Sequence, residues 1–113
     1  MKLAVIGSRN LKNIVIDGYI PDEAVEIISG GAEGVDALAA EYAKKKGLRL
    51  TVFLPQYEHY GFAAPIVRNK AIVDYADKII AFWNGNSRGT LSVIKYAKKS
   101  GKPCEIVFLS DNL

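Results

Sequence analysis

Short apolar runs rich in β-branched residues recur at residues 3–6, 25–28, 50–54, 79–83 and 106–109, and this recurrence constrains the fold more than any other feature of the chain. Between them lie stretches with helical spacing. The clearest carries Val35, Leu38, Ala39 and Tyr42 on one stripe, with lysines following it. Pro65 suits the first turn of a second helix, which runs on through Val67, Ala71 and Tyr75. A third opens near Arg88, buries Leu91, Ile94 and Ala97, and ends at Ser100-Gly101-Lys102-Pro103, a glycine-then-proline stop. Apolar runs alternating with helices predict buried parallel strands, because parallel neighbours need a crossover between them. The expected fold is α/β, a Rossmann-like open parallel sheet of about five strands with helices on both faces. Residues 10–21 fit neither template. Ile14, Ile16 and Tyr19 alternate, but Gly18 interrupts them, and extended chain, a short helix and irregular structure all stay open.

The chain has 113 residues, half of them hydrophobic and 24% charged, which suits one domain with its own core; residues 1–113 are read as a single unit. With Cys104 as the lone cysteine, an internal disulfide is excluded, and with His59 as the lone histidine, no structural zinc site is expected. The first apolar run is too short for a signal-peptide core and no stretch is long enough to span a membrane, so a reduced, cytoplasmic protein is expected. A formal charge of +3 suits an anionic ligand. Much of it, however, lies in Lys44, Lys45, Lys46, Lys98 and Lys99, at expected helix C-termini where cations offset the dipole whatever the ligand.

Ligands of open α/β sheets sit just beyond the carboxyl ends of the strands. Three loops in those positions are rich in small and polar residues: Gly7-Ser8-Arg9-Asn10, Ser29-Gly30-Gly31-Ala32-Glu33-Gly34-Val35-Asp36, and Asn84-Gly85-Asn86-Ser87-Arg88-Gly89-Thr90. Glycines let backbone N–H groups approach an anion, and the helices that follow add free N–H groups and a positive dipole end. Ser8, Ser29, Ser87 and Thr90 offer hydroxyl donors, while Arg9 and Arg88 offer a fork of donors that matches a phosphate. The three loops together predict a phosphate-type site.

Magnitudes set a limit on phosphate alone. A helix N-terminus contributes about 0.3–2 kcal/mol and a charge-assisted hydrogen bond about 1.5–3, whereas micromolar binding needs about 8. A base or ring stacked on an aromatic side chain would help supply the difference. Trp83, Tyr57, Tyr60 and Phe62 are the candidates, with Trp83 expected at the pocket rim and residues 55–62 read as a loop able to fold over the site. His59 has no visible triad partners and is given no catalytic role.

These residues resemble the SLOG superfamily, which joins the DNA-uptake Smf/DprA proteins to the LOG, or lysine-decarboxylase-like, nucleotide phosphoribohydrolases. Ser29-Gly30-Gly31-Ala32-x-Gly34-Val35-Asp36 resembles the SGxAxGxD segment of the DNA-uptake proteins, and Arg68-Asn69 resembles their Arg-Asn pair. From Arg68 through Ala76-Asp77 and Ile80-Ala81 to Gly89-Thr90, the layout is also similar to the Arg, Ala-Asp strand and GGxGT loop of the phosphoribohydrolases. The likeness covers nearly the whole chain and is strongest to stand-alone bacterial and phage SLOG proteins. It implies a nucleotide-derived ligand between the glycine loops, with Arg68 near its ribose or phosphate.

One departure bears on activity. Val93 stands where the phosphoribohydrolases carry a glutamate, and a valine can neither activate water nor stabilise a cationic sugar. Glu33, Asp36 and Glu58 are the carboxylates available to substitute, although Asp36 in a first helical turn is more simply a dipole partner. The expected function is therefore binding or sensing of a nucleotide or nucleotide-derived phosphorylated ligand. Nucleoside monophosphate phosphoribohydrolase activity is the enzyme alternative. Single-stranded DNA binding is a further alternative, which needs an extended basic groove with interleaved aromatics. The candidate ligand-binding set is Gly7, Ser8, Arg9, Ser29, Gly30, Gly31, Ala32, Gly34, Asp36, Arg68, Asn69, Trp83, Ser87, Arg88, Gly89 and Thr90, with Arg68 catalytic if the protein is a hydrolase. No metal is expected, and no cofactor is named beyond the nucleotide-type ligand; a homodimer is compatible with the class, and no membrane partner is expected.

Overall fold

The computed structural model describes residues 1–110. Strands β1 (Lys2–Gly7), β2 (Glu26–Ser29), β3 (Arg49–Val52), β4 (Lys78–Trp83) and β5 (Cys104–Phe108) form one sheet, parallel throughout, in the order β3-β2-β1-β4-β5. Helix α1 (Val35–Lys46) joins β2 to β3, the short α2 (Tyr57–Tyr60) and longer α3 (Ala64–Tyr75) join β3 to β4, and α4 (Arg88–Ser100) joins β4 to β5. This is the Rossmann-like arrangement expected from the alternation of runs.

The pleat of β1 shows how the sequence divides the core. Successive side chains of a strand point to opposite faces. Leu3 and Val5 join Ile27, Phe82, Val35 and Ala39 on the α1 face, while Ala4 and Ile6 join Ile72, Val73, Val93 and Ala97 on the face covered by α3 and α4. Phe82, Leu3, Ile27, Ile28, Ile79 and Ile80 are fully buried, each contributing about 1.5–3 kcal/mol relative to exposure. The N-terminus of α1 comes so close to the end of β1 that a Cβ on Gly7 would lie 2.5 Å from the Phe82 carbonyl oxygen and 2.6 Å from Val35 Cγ2.

Residues 10–21 prove to be an irregular connection with a single 3-10 turn at Asp17–Tyr19. Leu11, Ile16 and Ile20 are buried against the α1-side core, and the Tyr19 ring stands edge-on to Phe82 at 5.3 Å. The segment thus supplies the apolar cover that a crossover helix would otherwise give. Lys45 reaches back to it and donates to Asp17 Oδ2 at 2.6 Å.

Several expectations need correcting. The outer strands β3 and β5 are not buried, because each lies at a sheet edge where, among the described residues, no further strand pairs with its outer side; Val52 is 42% exposed and Phe108 66%. On α4 the buried positions are Thr90, Val93, Ile94 and Ala97, with Leu91 only half-buried. On α3 it is Ala64, Asn69, Ile72 and Val73 that turn inward, leaving Ala71 and Tyr75 exposed. Residues 55–62, expected as a loop, carry α2 and open a following 3-10 turn at Gly61–Ala63. Among the described residues, no helix is long and apolar enough to cross a membrane.

Candidate functional site

From β1 the chain works outward to β2 and β3, then returns across β1 to β4 and β5. The reversal opens a crevice between the carboxyl ends of β1 and β4, where open α/β sheets take their ligands. A cavity of about 690 Å³ occupies that position. Its volume lies in the range of small-molecule sites.

The β1 and β4 loops are locked to each other. The Ser8 N–H donates to the Phe82 carbonyl at 3.0 Å, and the buried Ser8 hydroxyl oxygen accepts the Asn84 N–H at 3.2 Å. Asn84 Oδ1 in turn accepts the N–H groups of Asn86 and Ser87, both at 2.9 Å, which folds the chain into the start of α4. Ser87 caps that helix through its Oγ, which accepts the Thr90 N–H at 3.2 Å. The first turn of α4 carries no acidic side chain, and the N–H groups of Arg88 and Gly89 have no intrahelical acceptor.

The β2 loop is built differently. Gly34, at φ 70° and ψ −125°, caps α1 directly beneath the β1 loop. Asp36 in the first turn of α1 folds its carboxylate back over the glycine loop, where Oδ2 accepts the Ala32 N–H at 3.1 Å. Ser29 Oγ accepts the Gly31 N–H at 3.2 Å and donates to the Asp36 carbonyl oxygen at 3.2 Å. Asp36 is 7% exposed, and this burial raises its pKa above the ordinary carboxylate value, against the opposing pull of the Ala32 N–H, Arg68 and the Gly30 N–H.

Arg68 on α3 forms the facing wall. Its Nη1 donates to the carbonyl oxygens of Gly30 at 2.6 Å and Phe53 at 3.3 Å, and its Nε to Asn69 Oδ1 at 2.9 Å. Arg68 and Asn69, read as a pair from sequence, are therefore bonded to each other, and the guanidinium is held rigidly at the cavity. The positions Pro65, Arg68, Asn69 and Ile72 line it from one side of α3, with Ile6 and Val93 giving an apolar floor.

Of the residues expected at the site, Gly7, Ser8, Arg9, Gly30, Ala32 and Asp36 line the cavity from the β1 and β2 sides. Arg68, Asn69, Ser87, Gly89 and Thr90 line it from α3 and α4. Five do not. Ser29, Gly31 and Gly34 shape the β2 loop from behind. Trp83 packs with the α3/α4-side core rather than at the rim, and its indole N–H donates to the Ser87 carbonyl at 3.0 Å. Arg88 points away, lining a shallow depression of about 370 Å³ with Lys70, Lys95, Tyr96 and Lys99. Glu33 and Glu58 are exposed and line no part of the cavity, so among the described residues Asp36 is its carboxylate.

Residues missed as site positions include Asn10, Asn84 and Asn86 in loops already singled out, and Pro65 and Ile72, whose helical spacing to Arg68 was a usable signal. Among the described residues, no cluster of three or more His, Cys, Asp or Glu side chains could hold a metal. No protein-family model, curated protein or solved structure matches the chain.

Proposed function

We propose that the chain binds or senses a nucleotide, or a nucleotide-derived phosphorylated ligand, in the cavity at the carboxyl ends of β1 and β4, as a domain of SLOG type. The observation that carries this reading is the single cavity of about 690 Å³ onto which the acid-free start of α4, Arg9 and the anchored Arg68 all open. The SLOG-like segments support it: Gly30, Ala32, Asp36, Arg68, Asn69, Gly89 and Thr90 all line that cavity. Protein purified without added ligand, denatured and examined by mass spectrometry should release a nucleotide. Added nucleotide should also raise the melting temperature, since a ligand at about 100 times its Kd adds about 2.7 kcal/mol. No released nucleotide together with no shift across a nucleotide panel refutes the proposal.

One observation favours N-glycosidic hydrolysis of a nucleoside monophosphate as a second reading. Asp36 is a buried carboxyl group in the same cavity as Arg68, and burial favours the protonated form that could donate to a leaving base. Free base should then appear on incubation with nucleoside monophosphates and vanish in Asp36→Asn. Binding without base release leaves the sensor reading alone. For single-stranded DNA, the depression lined by Lys70, Arg88, Lys95 and Lys99 beside Tyr96 is the relevant surface. A gel shift that weakens steeply with salt would support that reading, and no shift at low salt removes it.

A further inference from the structure

Phosphate contacts alone fall short of tight binding for a small ligand, so the cavity needs a contact with the rest of the molecule it holds. Most aromatic side chains are committed elsewhere. Trp83 is packed and hydrogen-bonded to the Ser87 carbonyl, Phe53 packs edge-on against Tyr75 at 5.6 Å, and Tyr60 against His59 at 5.4 Å. Phe62 is fully exposed and lies off the cavity.

Tyr57 alone among the aromatic residues lines the cavity. It is 61% exposed, and among the described residues its side chain has neither a ring partner nor a hydrogen bond. A large apolar ring left in water at the mouth of a polar cavity is a surface that a planar ligand would cover.

Topology sets the span. Tyr57 follows β3, and the start of α4 follows β4; in the order β3-β2-β1-β4 the two strand ends are three spacings apart, roughly 14 Å. An extended nucleoside phosphate can reach across such a crevice. Inorganic phosphate and a sugar phosphate are too short to touch both ends.

We propose that Tyr57 is the base-reading wall of the cavity: the heteroaromatic ring of the ligand stacks on it, and the site selects a base-bearing nucleotide over a sugar phosphate of the same charge. This rests on the nucleotide reading above. Stacking tolerates every base but strengthens with ring area, so purine nucleotides bind more tightly than pyrimidine nucleotides.

The test is calorimetric titration of wild type, Tyr57→Ala and Tyr57→Phe with AMP, GMP, CMP, UMP, ribose 5-phosphate and inorganic phosphate. Tyr57→Ala should lose about tenfold or more in affinity for the nucleotides while holding ribose 5-phosphate to within about twofold, and Tyr57→Phe should bind like wild type. Because Tyr57 is exposed, the urea midpoints of all three should agree, which separates a lost contact from a lost fold. Wild type binding ribose 5-phosphate as tightly as AMP, or Tyr57→Ala binding AMP as tightly as wild type, overturns the stacking role while phosphate binding stands. Equal losses for AMP and ribose 5-phosphate in Tyr57→Ala also overturn it, by showing that the residue only shapes its loop. If wild type binds neither compound, the nucleotide reading fails and this proposal falls with it.

Discussion

Gly34→Ala tests whether the β1 and β2 loops share a wall as described. A Cβ at Gly34 would lie 2.4 Å from the Arg9 carbonyl oxygen and 2.7 Å from both the Arg9 carbonyl carbon and the Ser8 carbonyl oxygen. All three are backbone atoms, so no side-chain rotation relieves the clash. The backbone angles, φ 70° and ψ −125°, add strain of about 1–3 kcal/mol for any residue with a Cβ. Moving the β1 loop to admit the methyl group costs about 1–3 kcal/mol more. The expected destabilisation is therefore about 2–6 kcal/mol, against a total of about 5–15 for a domain of this kind. In urea, with a slope of about 2 kcal/mol per M, the midpoint followed by circular dichroism should fall by about 1–3 M at unchanged slope. Gly18→Ala is the control. Nothing lies within 4 Å of a Cβ there and its φ is unremarkable, so it should stay within about 0.5 kcal/mol of wild type. A Gly34→Ala midpoint matching that control would refute the packing of the Ser8–Arg9 backbone on the start of α1, and with it the geometry of the cavity.

Asp36→Asn should change the pH dependence of stability in a defined direction. Burial raises the folded-state pKa above 3.8, so the wild type loses stability as pH rises from that value through the folded pKa. The amide has no such cost, and the variant should gain on wild type across that window; urea midpoints from pH 3 upward giving a constant difference would contradict this. Glu26 has the opposite sign. Its carboxylate accepts the Thr51 and Tyr75 hydroxyls, both at 2.7 Å, which holds its pKa below 4.5, so its contribution is present above pH 4.5 and lost as pH falls through the lower folded value. Glu26→Ala should cost about 1–3 kcal/mol at neutral pH and flatten the acid side of the stability curve; an unchanged acid limb would argue against these bonds. Gly89→Ala should fold at least as well as wild type, because nothing lies within 4 Å of the added Cβ and alanine favours a helix by about 0.4–1 kcal/mol. Because Gly89 lines the cavity, the variant should nonetheless weaken phosphate-bearing ligands, and unaltered binding would place the phosphate elsewhere.

The fold was legible because both of its periodicities are strong. Runs such as Ile79 to Phe82 are buried on both faces and so read as continuous apolar segments, as parallel central strands do. The edge strands carry the same residue types, and nothing in Leu50 or Ile106 says that no neighbour will cover them. Helical phase was less secure for the same reason. Val67 and Ala71 are as apolar as Ile72 and Val73, and only packing against the sheet and α4 decides which pair turns inward. At the site, loop position was the informative signal and residue type the weaker one. Arg9, Arg68 and Arg88 are chemically equivalent in sequence, yet α4 carries Arg88 to the outer face of the helix pair, whereas Arg68 is bonded to the Gly30 carbonyl at the cavity wall.

The two glycine-containing loops that precede α1 and α4 also read alike, and their equivalence does not survive the structure. Both offer a serine, glycines and a helix N-terminus. Before α1, however, the chain has already supplied its own acceptors: the Asp36 carboxyl group takes the Ala32 N–H, and Ser29 Oγ takes the Gly31 N–H. A second acceptor placed there would find those N–H groups already taken. Before α4 there is no acid in the first turn, and the Ser87 cap consumes only the Thr90 N–H. On the nucleotide reading, then, the two ends of the crevice have unequal tasks. The β4 side is left for the phosphate, and the β2 side, with Asp36 as an acceptor and Arg68 fixed beside it, is left for groups that donate hydrogen bonds, such as sugar hydroxyls. On that reading Asp36 would have two tasks, to hold the glycine loop in shape through the Ala32 N–H and to leave the α4 end as the better place for the phosphate.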